Sequence, residues 1–143
     1  MNIDYNSIVR FIKEHHVLTL ATCADNLPYC FNAFYVFLEE QSSFIFTSDR
    51  KTRHIREAEQ NTQVAGSIVL ETETVGKIQG LQFCGEIKEL QGLQALKGRM
   101  AYLKRFPYAV LTTTPLWTVE MNYAKLTDNR LGFGKKIIWT KKV

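Results

Sequence analysis

Phe44-Ile45-Phe46-Thr47-Ser48-Asp49-Arg50-Lys51-Thr52-Arg53-His54-Ile55-Arg56 is the stretch on which the reading of this chain turns. An apolar, β-prone run (Phe44 to Phe46) stops at small hydroxyl residues. Two adjacent cations follow, and the spacing then predicts a short helix from about Thr52 to Gln60. A strand that passes to a helix through Thr, Ser, Arg and Lys is good chemistry for an anion. Hydroxyls and backbone N–H groups donate, the helix N-terminus adds partial positive charge, and Arg50 and Lys51 add full charges. The same residues suit an ordinary strand end followed by a capped, solvated helix, so this segment alone leaves both readings open.

Upstream, Tyr5, Ile8, Phe11, Ile12 and His15 recur at helical spacing behind Asp4, a residue able to cap a helix. Val17 to Ala24 reads as a strand, Asp25 to Pro28 as a turn. Tyr29 to Leu38 is almost entirely apolar or aromatic and reads as one long strand. Without polar alternation it needs cover on both faces, from a closed sheet or from a second subunit.

Downstream, Gln63 to Leu70 is a strand. Lys77 to Leu90 follows, with Leu81, Phe83 and Ile87 on one face and Gln82, Cys84 and Glu86 on the other. Gly80 and Gly85 within it signal a bulge, a bend or a close approach. Leu93, Leu96, Met100 and Leu103 mark an amphipathic helix ending before Pro107, its stripe serving core or interface. Leu116 to Asp128 makes one long strand or two, and Lys135 to Thr140 a last one. Six or seven strands in meandering succession, with three helices, make an antiparallel α+β barrel, here taken as a single domain over residues 1–143. A doubly wound parallel sheet would need a crossover helix between most strands, and that pattern is absent.

Composition limits the function. Hydrophobic residues make up 45% of the chain and charged ones 22%, a soluble globular mix. No apolar run reaches the roughly 20 residues of a membrane span, and Met1 to Tyr5 lacks a signal-peptide pattern, so a cytoplasmic protein is expected. Residues 1–119 carry as many acids as bases. The net charge of +4 lies beyond them, in Lys125, Arg130, Lys135, Lys136, Lys141 and Lys142 against Glu120 and Asp128. That surplus is too local for a nucleic-acid protein; it could assist an anionic ligand or serve solubility. Cys23, Cys30 and Cys84 show no metal-ligand spacing; Cys23 and Cys30 flank a turn and could face one another, though buried reduced thiols are favoured. His15, His16 and His54 offer no ligand pattern, and no metal site is assigned.

The order of elements, with strand–Thr-Ser-x-Arg-Lys–helix third among the strands, resembles the FMN-binding split β-barrel superfamily, whose best-known members are the pyridoxamine 5′-phosphate oxidases. Ile78-Gln79-Gly80-Leu81-Gln82-Phe83-Cys84-Gly85, Lys125-Leu126-Thr127-Asp128-Asn129 and Gly132-Phe133-Gly134-Lys135 look like its YhbP-like uncharacterised branch. The resemblance implies a homodimer with FMN in clefts at the subunit interface. It places Thr47, Ser48, Arg50 and Lys51 at the FMN phosphate and the backbone of Asn32, Ala33 and Phe34 beside the isoalloxazine ring. Gln82, with Gln79, stands near the position of a flavin-contacting Gln. Trp117 resembles a late aromatic brought by the second subunit, and equally suits a core tryptophan.

The oxidases' distal basic, His-bearing segment is missing, so vitamin B6 oxidation is not expected. The function implied is a flavin-dependent oxidoreductase, NAD(P)H supplying hydride, with no side chain standing out as acid or base. Its rivals are a non-catalytic carrier of FMN or haem, and a cofactor-free dimeric barrel.

Overall fold

Helix α1 spans Ile3–Glu14 in the computed structural model, which describes residues 3–111 and 113–143. Ile8, Val9, Phe11 and Ile12 form its buried stripe. Asp4 lies in the first turn rather than at the cap, where its carboxylate still faces the positive end of the helix.

Strands β1 (Val17–Ala24) and β2 (Leu27–Phe34) form a hairpin. Asp25 and Asn26 turn it, both at positive φ, the geometry that matches the twist of the flanking strands. The register pairs Ala21 with Cys30 and Cys23 with Pro28, so the two cysteines do not face one another, and Cys23, Cys30 and Cys84 are all free thiols.

The apolar run from Tyr29 to Leu38 is not one strand. It breaks at Tyr35, between β2 and β3 (Val36–Leu38). The Tyr35 ring is fully buried, its N–H donates to the His16 carbonyl (3.1 Å) and its hydroxyl donates to the Ile12 carbonyl (2.6 Å). Arg105 donates to the Tyr35 carbonyl (3.0 Å) and also to that of His15. These bonds fix the chain where it leaves one edge of the sheet for the other.

The remaining elements are β4 (Ser43–Thr47), α2 (Arg53–Gln60), β5 (Gln63–Val69), β6 (Gln79–Glu89), α3 (Gly92–Arg105), β7 (Leu116–Asp128) and β8 (Lys136–Thr140). All pairings are antiparallel, in the order β2-β1-β5-β6-β7-β4-β3, with β8 also on β7. Eight strands therefore stand where six or seven were expected, because Tyr35 divides one apolar run into two. The long β7 pairs with β4 along its first half and with β8 along its second. The sheet curls until β2 approaches β4, and the result is an α+β split barrel with three α-helices among the described residues.

Alternation along β6 is as the sequence predicts, with Leu81, Phe83 and Ile87 in the core and Gln82, Cys84 and Glu86 outside. A bulge falls between Cys84 and Gly85. A methyl on Gly85 would stand 2.5 Å from the Glu120 carbonyl oxygen, so close backbone approach explains that glycine. Helix α3 departs from expectation in part. Its buried side is Gly98 and Tyr102, and Gly98 lets the helix close on Ile45 and Leu90. Leu93, Leu96 and Met100, 57–67% exposed, lie on the solvent side and contribute nothing to this chain's core.

The outer face of the sheet carries two continuous cross-strand rows. One runs Asn32, Thr19, Ser67, Gln82, Lys125, Ile138; the next runs Cys30, Ala21, Ala65, Cys84, Tyr123, Thr140. These side chains are small or uncharged except for Lys125.

Candidate functional site

Between β4 and α2, the loop Ser48 to Thr52 is tied down chiefly at its two ends, Ser48 and Thr52, and at Asp49. Ser48 is buried; its N–H donates to the Pro115 carbonyl (3.1 Å) and its carbonyl accepts the Trp117 indole N–H (2.9 Å). The Ser48 hydroxyl is hydrogen-bonded to His54 Nε2 at 2.6 Å. Asp49 accepts the Lys51 N–H on its carboxylate (2.7 Å) and the Thr52 hydroxyl on its carbonyl (2.8 Å). Thr52, extended in backbone, caps α2 by accepting the Ile55 N–H (3.4 Å). A loop so restrained presents its two unburied cations in a set direction.

Arg50 and Lys51 stand at its tip, both exposed. Arg50 is ion-paired with Glu89 of β6, whereas the Lys51 ammonium has no partner among the described residues. With Asp49, Thr113, Thr114 and Pro115 they line an open depression of about 380 Å³. Two cations and two threonine hydroxyls are a donor set for a phosphate monoester. Glu89 is the competing carboxylate that such an anion would displace from Arg50.

Behind the loop, the His54 ring stacks on Phe31 of β2, centroids 3.7 Å apart and planes 11° from parallel. Partial burial lowers its pKa below the ordinary 6.5, against the pull of the nearby Glu57 carboxylate. Glu57 accepts from Arg53 Nε (2.7 Å) and from the Thr22 hydroxyl (2.7 Å), and these bonds hold its carboxyl below the usual range. Arg53 in turn lies 4.0 Å over the Tyr29 ring.

The residues expected at the site fall into two groups. Thr47, Ser48, Arg50, Lys51 and Trp117 come together, but Trp117 is 4% exposed, a core residue whose indole holds the Ser48 carbonyl. Asn32, Phe34 and Gln82 lie on the outer face, Asn32 and Gln82 in one row; Asn32 accepts the Thr19 hydroxyl at 2.8 Å. Ala33 packs against the core. Within one chain, Phe31 and His54 form the link between the groups. Nothing in the sequence signals that link, since Phe31 and His54 are 23 positions apart. Elsewhere, His15 Nδ1 bonds the Phe11 carbonyl (2.8 Å), and His16 is exposed. Among the described residues, no His, Cys, Asp and Glu gather into a metal-binding group, and no helix is long and apolar enough to cross a membrane.

No family model matches the chain. Individual relatives do. A UPF0306 protein from Photorhabdus laumondii is 39% identical over 138 residues, 96% of both chains. The UPF0306 protein YhbP of Salmonella arizonae is 39% identical over 135 residues, 94% of this chain and 92% of its own. Solved structures share the fold at much lower identity. A haem-binding protein from Mycobacterium smegmatis has a TM-score of 0.82 at 15% identity; the match covers 98% of this chain, which spans only 59% of that protein. HutZ, the haem storage protein of Vibrio cholerae, scores 0.68 at 20% identity, covering 82% of this chain and 89% of its own. An FAD-binding protein from Mesorhizobium loti scores 0.72 at 12% identity, covering 88% and 94%. The chain belongs to the UPF0306 family, the YhbP-like branch that its sequence resembles.

Proposed function

We propose that this UPF0306 protein is an FMN-binding oxidoreductase whose cofactor phosphate is held at the tip of the loop between β4 and α2. The observation that carries the reading is the pair Arg50 and Lys51, exposed side by side on a loop anchored through the backbone of Ser48, Asp49, Lys51 and Thr52. Lys51 would meet the phosphate directly and Arg50 after release from Glu89. Thr47 sits one residue before the loop and is half-buried, so its hydroxyl is the reserve donor. The Ser48 hydroxyl, engaged by His54, shapes the loop.

The ring system would lie along the exposed side of β2, at Asn32 and Phe34, between this chain and a second copy. A homodimer is supported by the two outer-face rows, in which Lys125 is the one charged residue, and by the exposed Leu93, Leu96 and Met100. A surface with little charge can meet its own copy without repulsion. Gln82, in the same row as Asn32, would then line the interface. Bound flavin accepts and donates hydride, with NAD(P)H as reductant; the protein's part is to bind, orient and shield it. Fold likeness to an FAD-binding protein agrees with a flavin, and the three free thiols with a cytoplasmic setting.

Titrating the purified protein with FMN while following its absorption tests the reading. Saturable binding with a perturbed flavin band is expected; no binding sinks it. Bleaching by NADH or NADPH under anaerobic conditions separates an enzyme from a carrier. Haem is the second reading, favoured by an exposed imidazole at His16 that bonds nothing among the described residues, and by two haem proteins of the same fold. A Soret band on haem addition, lost in His16→Ala, would select it.

A further inference from the structure

We infer that His54 is the positioning residue of this site: it locks the Ser48–Lys51 loop onto β2 and so holds the anion-binding cations in register with the ring-binding strand. This rests on the reading of Arg50 and Lys51 as the phosphate anchor. The geometry behind it is a continuous chain of contacts. The Ser48 hydroxyl bonds His54 Nε2 at 2.6 Å, and the imidazole plane lies against Phe31, whose ring packs on Phe46 at the end of β4. Phe31 immediately precedes Asn32, Ala33 and Phe34. The loop is thus held twice: its carbonyl from inside by Trp117, its hydroxyl from the β2 side by His54. Only the second tie connects the cradle to the other half of the site.

The tie also gives the site a pH dependence. The imidazole is partly buried, stacked on the Phe31 ring and bonded to Ser48, a place that disfavours its charged form. Around it, α2 contributes Glu57 and Arg53, which are paired with one another. Strand β1 contributes Thr22 on Glu57, β2 contributes Tyr29 beneath Arg53, and Phe46 of β4 backs the Phe31 ring on which the imidazole lies. Among the described residues Glu57 is the acid that favours a proton on His54, and its charge is already shared with Arg53 and Thr22. Protonation therefore charges a ring packed in apolar surroundings and loosens its seat, and anion affinity follows.

The test uses His54→Phe, which keeps a ring on Phe31 and deletes the bond to Ser48. Ser48→Ala deletes the same bond from the loop side and serves if the first variant fails to fold. FMN affinity is measured for wild type and variant between pH 5 and 8. Expected is a loss of about three- to tenfold at pH 8, the fold-change of one lost hydrogen bond. Wild-type affinity should also fall with acidification more steeply than that of His54→Phe, which keeps only the part due to protonation of the FMN phosphate. Affinity within twofold of wild type, with the same pH profile, overturns the inference.

If wild type binds no FMN, the cofactor reading fails and Trp117 decides the lock by itself. In a Trp139→Phe background, its indole N–H reports on the Ser48 carbonyl. A shifted emission in His54→Phe supports the lock, and unchanged emission overturns it.

Discussion

Two loops of this molecule each present an adjacent pair of cations, Arg50-Lys51 after β4 and Lys135-Lys136 at the start of β8, and they are built differently. The first springs from the core. Ser48 is buried, Trp117 and Pro115 bond its backbone, and Thr52 starts a helix directly behind it. The second is a turn through Gly132 and Gly134, both at positive φ, closed on Asn129 and on buried Asp128, with its tip left in solvent. Its neighbour Phe133 is 86% exposed. Adjacent positive charges are cheap to place on a surface, but holding them in one direction needs buried partners. On that ground the proposed anion site is assigned to the first loop, and the basic C-terminal segment to solubility.

Trp117→Ala tests this contrast most severely. Losing a buried indole and the bond to Ser48 should cost about 3–5 kcal/mol in denaturant unfolding, whereas Phe133→Ala should stay within about 0.5 kcal/mol. Equal costs would mean that the first loop is not core-anchored. Next, Lys51→Ala should weaken FMN binding by roughly 1.5–3 kcal/mol, the scale of a charge-assisted hydrogen bond. Lys135→Ala should leave the isotherm unchanged. Reversal of that order would move the site to the C-terminal turn.

Acid should uncouple the two loops in sequence. His54 has a folded pKa below its ordinary 6.5, so the fold binds its proton less well than the unfolded chain does. Its stability contribution is complete above that value and is lost as pH falls below it. Asp128 is held below its ordinary 3.8 by Arg130, which donates at 2.8 and 3.0 Å, so its contribution is lost only at lower pH. Urea midpoints against pH should show the first step vanish in His54→Phe and the second in Asp128→Asn. The smallest effect belongs to Glu89→Gln. Releasing Arg50 from an exposed ion pair should tighten FMN binding by less than about 1 kcal/mol. Weaker binding would show that Glu89 orients Arg50 instead of competing for it.

The sequence by itself determined the secondary elements and the inner face of the sheet. Alternation in β6, helical spacing in α1 and the hydroxyl-to-helix signal at Thr47–Thr52 are local patterns, and the structure keeps them. Local pattern failed where a residue's partner is distant. Tyr35 looks like one more aromatic in a strand until the carbonyls of Ile12 and His16 claim its polar groups and break the run. The Leu93-Leu96-Met100 stripe has core periodicity, yet Gly98 and Tyr102 decide which side of α3 meets the sheet, because only a side without bulk can close on Ile45. Trp117 could have faced a ligand or the core, and the Ser48 carbonyl settles it inward. His54 carried no motif at all. Its place between Ser48 and Phe31 exists only once β2 and β4 meet across the curl of the barrel, since a hydrogen bond and a ring stack depend on distance in space and not on spacing along the chain.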